Sequence, residues 1–338
     1  MTQGAREVGM TARARLGHIR DPRDYQITVL ASLLVYGILW LDFEVQAAHA
    51  LGILVTAQLT QYVCTRLSGL PRFDPKSALI SSLSLCLLLR TNFIAVAVFT
   101  AGITIASKFL IRWNGKHLFN PTNFGLVVGI LLTGEAWVSP GQWGSSLYLG
   151  FLFACLGGLV VNRSSRSDVT YAFLGFYLAI LFGRSIWLGE PMSIPLHRLQ
   201  SGALLLFAFF MISDPKTTPD SRAGRILFAS LVALGAGFVQ FVLFRTNGLL
   251  WSLALFAMFV PIIDRLLPGI QYQWQRAATT PGALSKGVTH ETAFDLRGSR
   301  PGGGILAGIG ESLLRILRGQ GGRQAVQQSL SGGSGPTR

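Results

Sequence analysis

Long apolar runs with almost no charge recur along most of this chain, from residue 27 to residue 267. Only 13% of all residues are charged, whereas a soluble domain carries about 25%. A charge-poor run of about 18 residues or more is typical of a helix that crosses a lipid bilayer. The sequence therefore predicts an all-α, polytopic membrane protein.

The runs divide into ten predicted membrane-spanning helices, which we expect to form one repeat-related bundle over residues 27–267. Their ranges are 27–43, 46–65, 77–90, 92–111, 121–137, 145–162, 169–183, 198–213, 225–244 and 247–267. Two of them, 77–90 and 169–183, are short for a bilayer about 30 Å thick. The repeat is suggested by the triplets Asp74-Pro75-Lys76 and Asp214-Pro215-Lys216, and the alternative is that each triplet is only a turn before a helix.

Basic residues are distributed unequally among the predicted loops. The loops after even-numbered segments hold eleven: Arg66, Arg72, Lys76, Lys108, Arg112, Lys116, Arg163, Arg166, Lys216, Arg222 and Arg225. The loops after odd-numbered segments hold four: Arg90, Arg184, Arg198 and Arg245. Because cytoplasmic loops are enriched in Lys and Arg, we expect both termini on the cytoplasmic side of a bacterial inner membrane.

Two polar tails flank the apolar region. Residues 1–26 form a basic N-terminal tail, and residues 268–338 are rich in Gly, Ser and Arg, which predicts a disordered cytoplasmic tail. Within it, 304–319 predicts an amphipathic helix that lies on the membrane surface or docks on a partner. The net charge of +14 indicates anionic lipid headgroups as partners, and no nucleic acid, since no nucleic-acid-binding motif is present.

Neither a metal site nor an independent catalytic site is predicted. Cys64, Cys86 and Cys155 lie far apart and share no ligand spacing with the five histidines. The apolar segments contain no nucleophile–base pair, no phosphate-binding loop and no carboxylate pair. At most, we expect the chain to be one subunit of a membrane redox complex.

Five polar residues in or beside the apolar segments are candidates for binding a cofactor. Lys108 lies near the end of the fourth segment, Asn120 and Asn123 lie at the start of the fifth, and Asp214 and Thr217 lie in a loop on the same predicted side. An amide both donates to and accepts from a ring edge, and a helix start favours anions. Simpler roles stay open, namely snorkelling for the lysine and helix-start chemistry for the asparagines.

Three segments resemble motifs of the RnfD/NqrB family, the membrane subunits of Rnf complexes and of sodium-pumping NADH:quinone oxidoreductases. They are FNPTNFG at 119–125, FMISDPKTTP at 210–219 and VPIIDRL at 260–266. The resemblance implies a ten-helix bundle that carries flavin and works with redox partner subunits. It also implies that electron transport is linked to ion movement across the membrane.

The chain departs from this family at the threonine to which FMN is covalently attached. In the corresponding interval, residues 131–146, the only threonine is Thr133, and the residues around it do not match the attachment motif. The string Ala278-Thr279-Thr280-Pro281 is superficially similar to the attachment motif, but it lies past the last predicted membrane-spanning segment. The sequence therefore resembles free-standing, divergent members, and we expect a non-covalent flavin (FMN or riboflavin) or a quinone, and no covalent FMN.

Two other functions remain open from the sequence. One is a transporter or channel-like bundle for a small solute or an ion, which the proline-interrupted segments favour. The other is a non-catalytic membrane anchor that recruits partner proteins through its basic tail.

The charge distribution predicts that residues 1–25 and 270–338 both face the cytoplasm. Alkaline phosphatase folds only outside the cytoplasm, so fusions at either terminus should be inactive, while a fusion after residue 190 should be active. Activity at a terminus would contradict the predicted orientation.

Overall fold

A computed structural model of the chain describes residues 21–139, 167–199 and 201–272, together with Trp143 and Gly158. The predicted sixth span at 145–162, the C-terminal tail beyond residue 272 with its helix at 304–319, and most of the N-terminal tail lie outside the described residues. Backbone contacts divide the chain into two units, residues 1–64 with 72–277 and residues 65–71 with 278–338. In the second unit, the described part is a helix end and a turn at Gly69, where φ is 64°.

Most of the described residues are helical. The helices are α1 Pro22–Trp40, α2 Ala47–Leu67, α3 Pro75–Leu88, α4 Ile94–Leu110, α5 Pro121–Thr133, α6 Ser167–Leu188, α7 Ser193–Leu199, α8 Gly202–Leu206, α9 Arg222–Phe241, α10 Gly248–Ala257 and α11 Val260–Leu266. A π-helical stretch, Phe207–Met211, continues α8. Each predicted apolar segment that lies in the described part of the chain thus overlaps at least one helix, and the helical fold is confirmed.

Two short antiparallel ribbons interrupt the helices, which the all-α prediction did not include. Strand β1 (Leu89–Thr91) follows α3 and pairs with β4 (Ala136–Val138), which follows α5. Strands β2 (Arg112–Trp113) and β3 (Lys116–His117) form a hairpin between α4 and α5. These ribbons give hydrogen-bond partners to backbone groups just beyond the helix ends, where the helices themselves supply none.

Ten membrane crossings are not confirmed. In the described part of the chain, α6 and α9 are long and apolar enough to cross a membrane. Two bent pairs, α7 with α8 and its π-helical continuation, and α10 with α11, raise that number to four if each pair is one span. Both pairs bend by 52°, and α11 has Pro261 near its start, where a proline cannot donate to the preceding turn.

Helix α6 is longer than the predicted segment 169–183. It continues through Gly183-Arg184 because the guanidinium of Arg184 is satisfied locally. It pairs with Glu190 at 2.6 Å and lies 4.5 Å from the centre of the Phe241 ring. A charge that ends an apolar run in the sequence therefore does not end the helix.

The helices of the first unit pack in a continuous series. Helix α9 packs against α6 and α10, α10 contacts α5, α5 packs against α4 and α3, and α3 packs against α1. Large apolar side chains on the outer faces are exposed, as expected where the surrounding medium is lipid; examples are Leu51, Leu131, Leu132 and Leu234.

Close contact between α4 and α5 depends on two glycines. A Cβ atom at Gly125 would overlap the Oγ1 atom of Thr104, and a Cβ atom at Gly129 would lie 2.7 Å from the Oγ1 atom of Thr100. Both threonines are fully buried. Two glycines four residues apart in an apolar segment favour such an approach between helices, and the structure identifies α4 as the helix that makes it.

Replacing Gly125 by Ala should lower the thermal stability of the detergent-purified protein, because overpacking a close-packed contact costs about 1–3 kcal/mol. Gly175 in α6 is the matched control, since no atom outside the neighbouring helix backbone lies within 4 Å of the place that an alanine methyl group would take there. Gly175→Ala should leave stability unchanged or raise it. Adding Thr104→Ala should restore part of the loss, and an unimpaired Gly125→Ala protein would contradict the close contact.

Candidate functional site

The FNPTN stretch forms the start of α5, with Asn120 as its N-cap. The Oδ1 atom of Asn120 accepts a hydrogen bond from the backbone N–H of Asn123 at 3.0 Å. Pro121 occupies the first helical position, where the missing N–H costs nothing. Helix-start chemistry therefore accounts for one oxygen of Asn120 and for the proline.

The remaining amide groups reach across to other segments. The Nδ2 atom of Asn120 donates to the backbone carbonyl of Met211 at 3.2 Å and to Oδ2 of Asp214 at 3.3 Å. The Nδ2 atom of Asn123 donates to the carbonyl of Leu250 at 3.2 Å. Both asparagines are buried. They therefore join α5 to the end of the π-helical stretch and to α10, a role that goes beyond starting a helix.

Lys108 is buried at the end of α4 and bonds to the first turn of α3. Its ammonium donates to the backbone carbonyl of Ser77 at 2.9 Å and to the hydroxyl of Ser77 at 3.1 Å. The carboxylates of Asp74 and Asp214 lie near enough to act on its charge. Lys108 therefore does not reach out to the headgroups, as the snorkelling alternative requires, but points towards protein groups.

Asp214 and Thr217 belong to one tight turn between the π-helical stretch and α9. The Oδ1 atom of Asp214 accepts from the backbone N–H of Lys216 at 3.0 Å. The Asp214 carbonyl accepts from the backbone N–H groups of Thr217 and Thr218 at 3.1 Å and from the Thr217 hydroxyl at 3.3 Å. The earlier triplet at 74–76 instead starts α3, so the two similar triplets form different structures.

The five predicted site residues thus lie at one end of the helices, and each of them has at least one protein partner. Cofactor binding by Lys108, Asn120, Asn123, Asp214 and Thr217 stays a prediction. One atom is open to a further partner, since Oδ1 of Asn123 is buried and has no hydrogen-bond partner among the described residues.

An ion triad at the same end was missed by sequence reasoning. The ammonium of Lys116 lies 2.9 Å from Oδ1 of Asp220 and 2.8 Å from Oδ2 of Asp264. The backbone N–H of Asp220 donates to Oδ1 of Asp264 at 2.7 Å. The three residues stand in or beside the three motif segments, and this common placement is the signal that could have revealed the triad.

His117, next to Lys116 in the hairpin, is uncharged at neutral pH. Burial lowers the pKa of its imidazole to about 3, and the neighbouring charges of Arg112, Lys108 and Lys216 act in the same direction. The positive character of this end therefore comes from lysine and arginine alone.

A cavity of about 390 Å³ lies between α6, the π-helical stretch and α10. Its apolar lining includes Leu88, Val138, Leu204, Phe207, Met211 and Leu250, and its polar lining includes Tyr177, His197, Arg198, Gln240, Arg245 and Asn247. This size is within the range of about 300–1,000 Å³ that small-molecule sites occupy. Sequence reasoning did not single out these residues, because they come from several separate segments.

The polar groups of the cavity include a hydrogen-bonded pair and several cations. The Tyr177 hydroxyl donates to Oε1 of Gln240 at 2.8 Å. Arg198 lies 5.3 Å from the centre of the Phe241 ring, and no carboxylate is among the described lining residues. The cavity therefore suits a ligand with an apolar or aromatic body and an anionic group.

The predicted site residues and the cavity share a wall. Met211 and Leu250 line the cavity, and their carbonyls are the acceptors of Asn120 and Asn123. A change in either asparagine is therefore transmitted to the cavity through one peptide group.

Comparison with known proteins identifies relatives for the part of the chain that builds the cavity. Residues 130–272 match the NQR2, RnfD, RnfE family. The chain is 32% identical over 151 residues to the D subunit of the ion-translocating oxidoreductase complex from Erwinia tasmaniensis, covering 44% of this chain and 38% of that protein. For the corresponding D subunit from Cronobacter sakazakii, the identity is 32% over 169 residues, covering 48% and 45%. The chain thus spans less than half the length of these curated relatives.

Lys116→Met should destabilise the protein by about 3 kcal/mol, the lower end for removing one partner of a buried ion pair, because it leaves two mostly buried carboxylates close together without a cation. The double variant Lys116→Met with Asp264→Asn should recover part of this loss. Lys76→Met is the control, since its ion pairs with Asp21 and Asp24 are more exposed and such pairs contribute about 1 kcal/mol or less. Equal thermal stability of the Lys116 and Lys76 variants would contradict a stabilising triad.

Proposed function

Because residues 130–272 of this chain match the NQR2, RnfD, RnfE family, we propose that the protein is an integral membrane subunit of an electron-transport assembly linked to ion movement. The relatives are named as subunits of an ion-translocating oxidoreductase complex. By the same reasoning, redox partner subunits in a bacterial inner membrane are its expected surroundings.

The 390 Å³ cavity is the observation that carries this proposal. All of its described lining residues except Leu88 lie within the matched segment 130–272. The part of the chain that defines the family therefore builds a ligand-sized cavity, which a simple membrane anchor does not need.

For the ligand of this cavity we propose a non-covalent flavin. A flavin supplies one-electron and two-electron transfer when bound. The apolar floor around Phe207 and Leu250 suits the flat ring system, and the Tyr177–Gln240 pair offers polar groups to a ring edge. Arg198 and Arg245 are the cations that would hold the phosphate of FMN.

The predicted site residues contribute to this proposal through the shared wall. Asn120 and Asn123 hold the peptide groups of Met211 and Leu250 in place. Lys108, Asp214 and Thr217 stabilise the turn and helix ends behind that wall. We propose that they position the cofactor site.

Attachment of FMN to Thr133 is not part of the proposal. The hydroxyl of Thr133 donates to the carbonyl of Gly129 at 2.6 Å and accepts from the backbone N–H of Glu135 at 3.2 Å. These bonds complete the end of α5, and a phosphoester at this oxygen would remove the donated one.

The test is the visible spectrum of the full chain purified in detergent, followed by denaturation and chromatography. We expect flavin absorption in the native protein, release of free flavin on denaturation, and no fluorescent band in a denaturing gel. A colourless preparation that binds neither added FMN nor added riboflavin would overturn the cofactor proposal and favour the transporter or anchor alternatives.

Variants of the cavity residues distinguish the binding of FMN from the binding of riboflavin. Arg198→Gln with Arg245→Gln should weaken FMN binding roughly ten-fold or more, because a charged hydrogen bond to phosphate contributes about 1.5–3 kcal/mol. Riboflavin has no phosphate, so its affinity should stay unchanged. Arg265→Gln, which removes an exposed cation outside the cavity, is the control. Asn123→Leu should weaken the binding of both flavins while expression stays normal.

A further inference from the structure

Among the described residues, Arg112 and Lys216, at the charged end of the helices, form no salt bridge with a carboxylate, although Asp214 lies near Lys216. In the described part of the first unit, most acidic residues at this end are held in ion pairs: Asp21, Asp24 and Asp74 with Arg23 or Lys76, Asp168 with Arg225, and Asp220 and Asp264 with Lys116. Neither Arg112 nor Lys216 joins an ion pair among these residues. No ion pair in this part of the chain therefore neutralises their positive charge.

Arg112 and Lys216 are brought together by the contacts of the hairpin with the loop before α9. Arg112 is paired in register with His117 across β2 and β3. Three residues later, the amide of Asn120 donates to one oxygen of Asp214, whose other oxygen accepts from the backbone N–H of Lys216. The Lys116–Asp220 ion pair fixes the same hairpin to the same loop.

The effect of one charge on the other is consistent with Arg112 and Lys216 lying close together. Burial lowers the pKa of Lys216, and the positive charge of Arg112 lowers it as well. The negative charge of Asp214 acts in the opposite direction. Burial also lowers the pKa of Arg112. The neutral ring of His117 adds no charge, so an anion at this place would relieve the repulsion between the two cations.

The neighbours of Arg112 indicate that this place lies at the lipid boundary. Leu110 and Trp113 are apolar residues on either side of Arg112, and they are 56% and 52% exposed. Leu110 is the last residue of α4, an apolar helix. Exposed tryptophan at the end of an apolar helix is typical of the membrane–water interface, where lipid phosphates lie.

We propose that Arg112 and Lys216 form a binding site for the phosphate group of an acidic phospholipid. Two cations at the end of neighbouring helices hold the phosphate, and Trp113 packs beside the glycerol region. Basic pockets between helix ends are the places where acidic lipids bind membrane proteins. The site does not depend on the cofactor proposed for the cavity.

Native mass spectrometry of the full chain in detergent tests the proposal. The protein is offered equal amounts of phosphatidylglycerol and phosphatidylcholine, and the wild type should retain the acidic lipid preferentially. Arg112→Gln and Lys216→Gln should each lower that retention about five-fold, the effect of about 1 kcal/mol for one basic residue near a lipid surface. Added salt should weaken the wild-type preference.

Controls exclude a general charge effect and unfolding. Arg265→Gln removes an exposed cation from the same end and should keep the wild-type preference, and all variants should keep the wild-type thermal stability in detergent without lipid. Equal retention of both lipids by the wild type, or an equal loss in Arg265→Gln, would overturn the proposal. So would binding of inorganic phosphate that depends on Arg112 and Lys216 without preference for the acidic lipid, since the source would then be free phosphate.

Discussion

Two buried amide groups at the start of α5 connect the parts of this molecule that matter for function. Apolar surroundings offer no water to a buried amide N–H group, so leaving one without an acceptor costs several kcal/mol. Met211 ends a π-helical stretch, and Leu250 lies in the first turn of α10. Asn120 and Asn123 donate to these two carbonyls. The end of one bent helix pair and the start of the other are therefore held by the same helix terminus.

The two ends of the helices differ in the chemistry of their side chains. At one end, the ion triad of Lys116, Asp220 and Asp264 ties the hairpin to the loop before α9 and to α11. At the other end, a largely apolar cavity has the cations Arg198 and Arg245 among its lining residues, and no carboxylate among the described ones. The asparagines lie between them, so a change at the charged end can reach the cavity wall through hydrogen bonds rather than through side-chain packing alone.

This division suits a membrane subunit that holds a redox cofactor without a covalent bond. In the function proposed above, Arg198, Arg245 and the hydrogen-bonded Tyr177 would hold the cofactor in place of a covalent bond to a threonine. A lipid phosphate at Arg112 and Lys216 would neutralise repulsion at the other end and hold the hairpin against the bilayer. Because the hairpin also carries Lys116, lipid composition would then influence the triad and, through Asn120, the cavity wall.

Much of the fold follows from the sequence, because hydrophobic periodicity and charge are local properties. The apolar segments predicted the described helices, the NP pair predicted the start of α5, and the glycine spacing predicted a close helix contact. The number of membrane crossings did not follow, because two predicted segments correspond to helix pairs that are bent by 52°, and hydropathy alone contains no information on such bends. Lys116 with its two aspartates, and the partners of Asn120 and Asn123, were decided only by the tertiary structure. These groups lie far apart in the chain, and local sequence patterns contain no information on which distant carbonyl or carboxylate will lie within hydrogen-bonding distance.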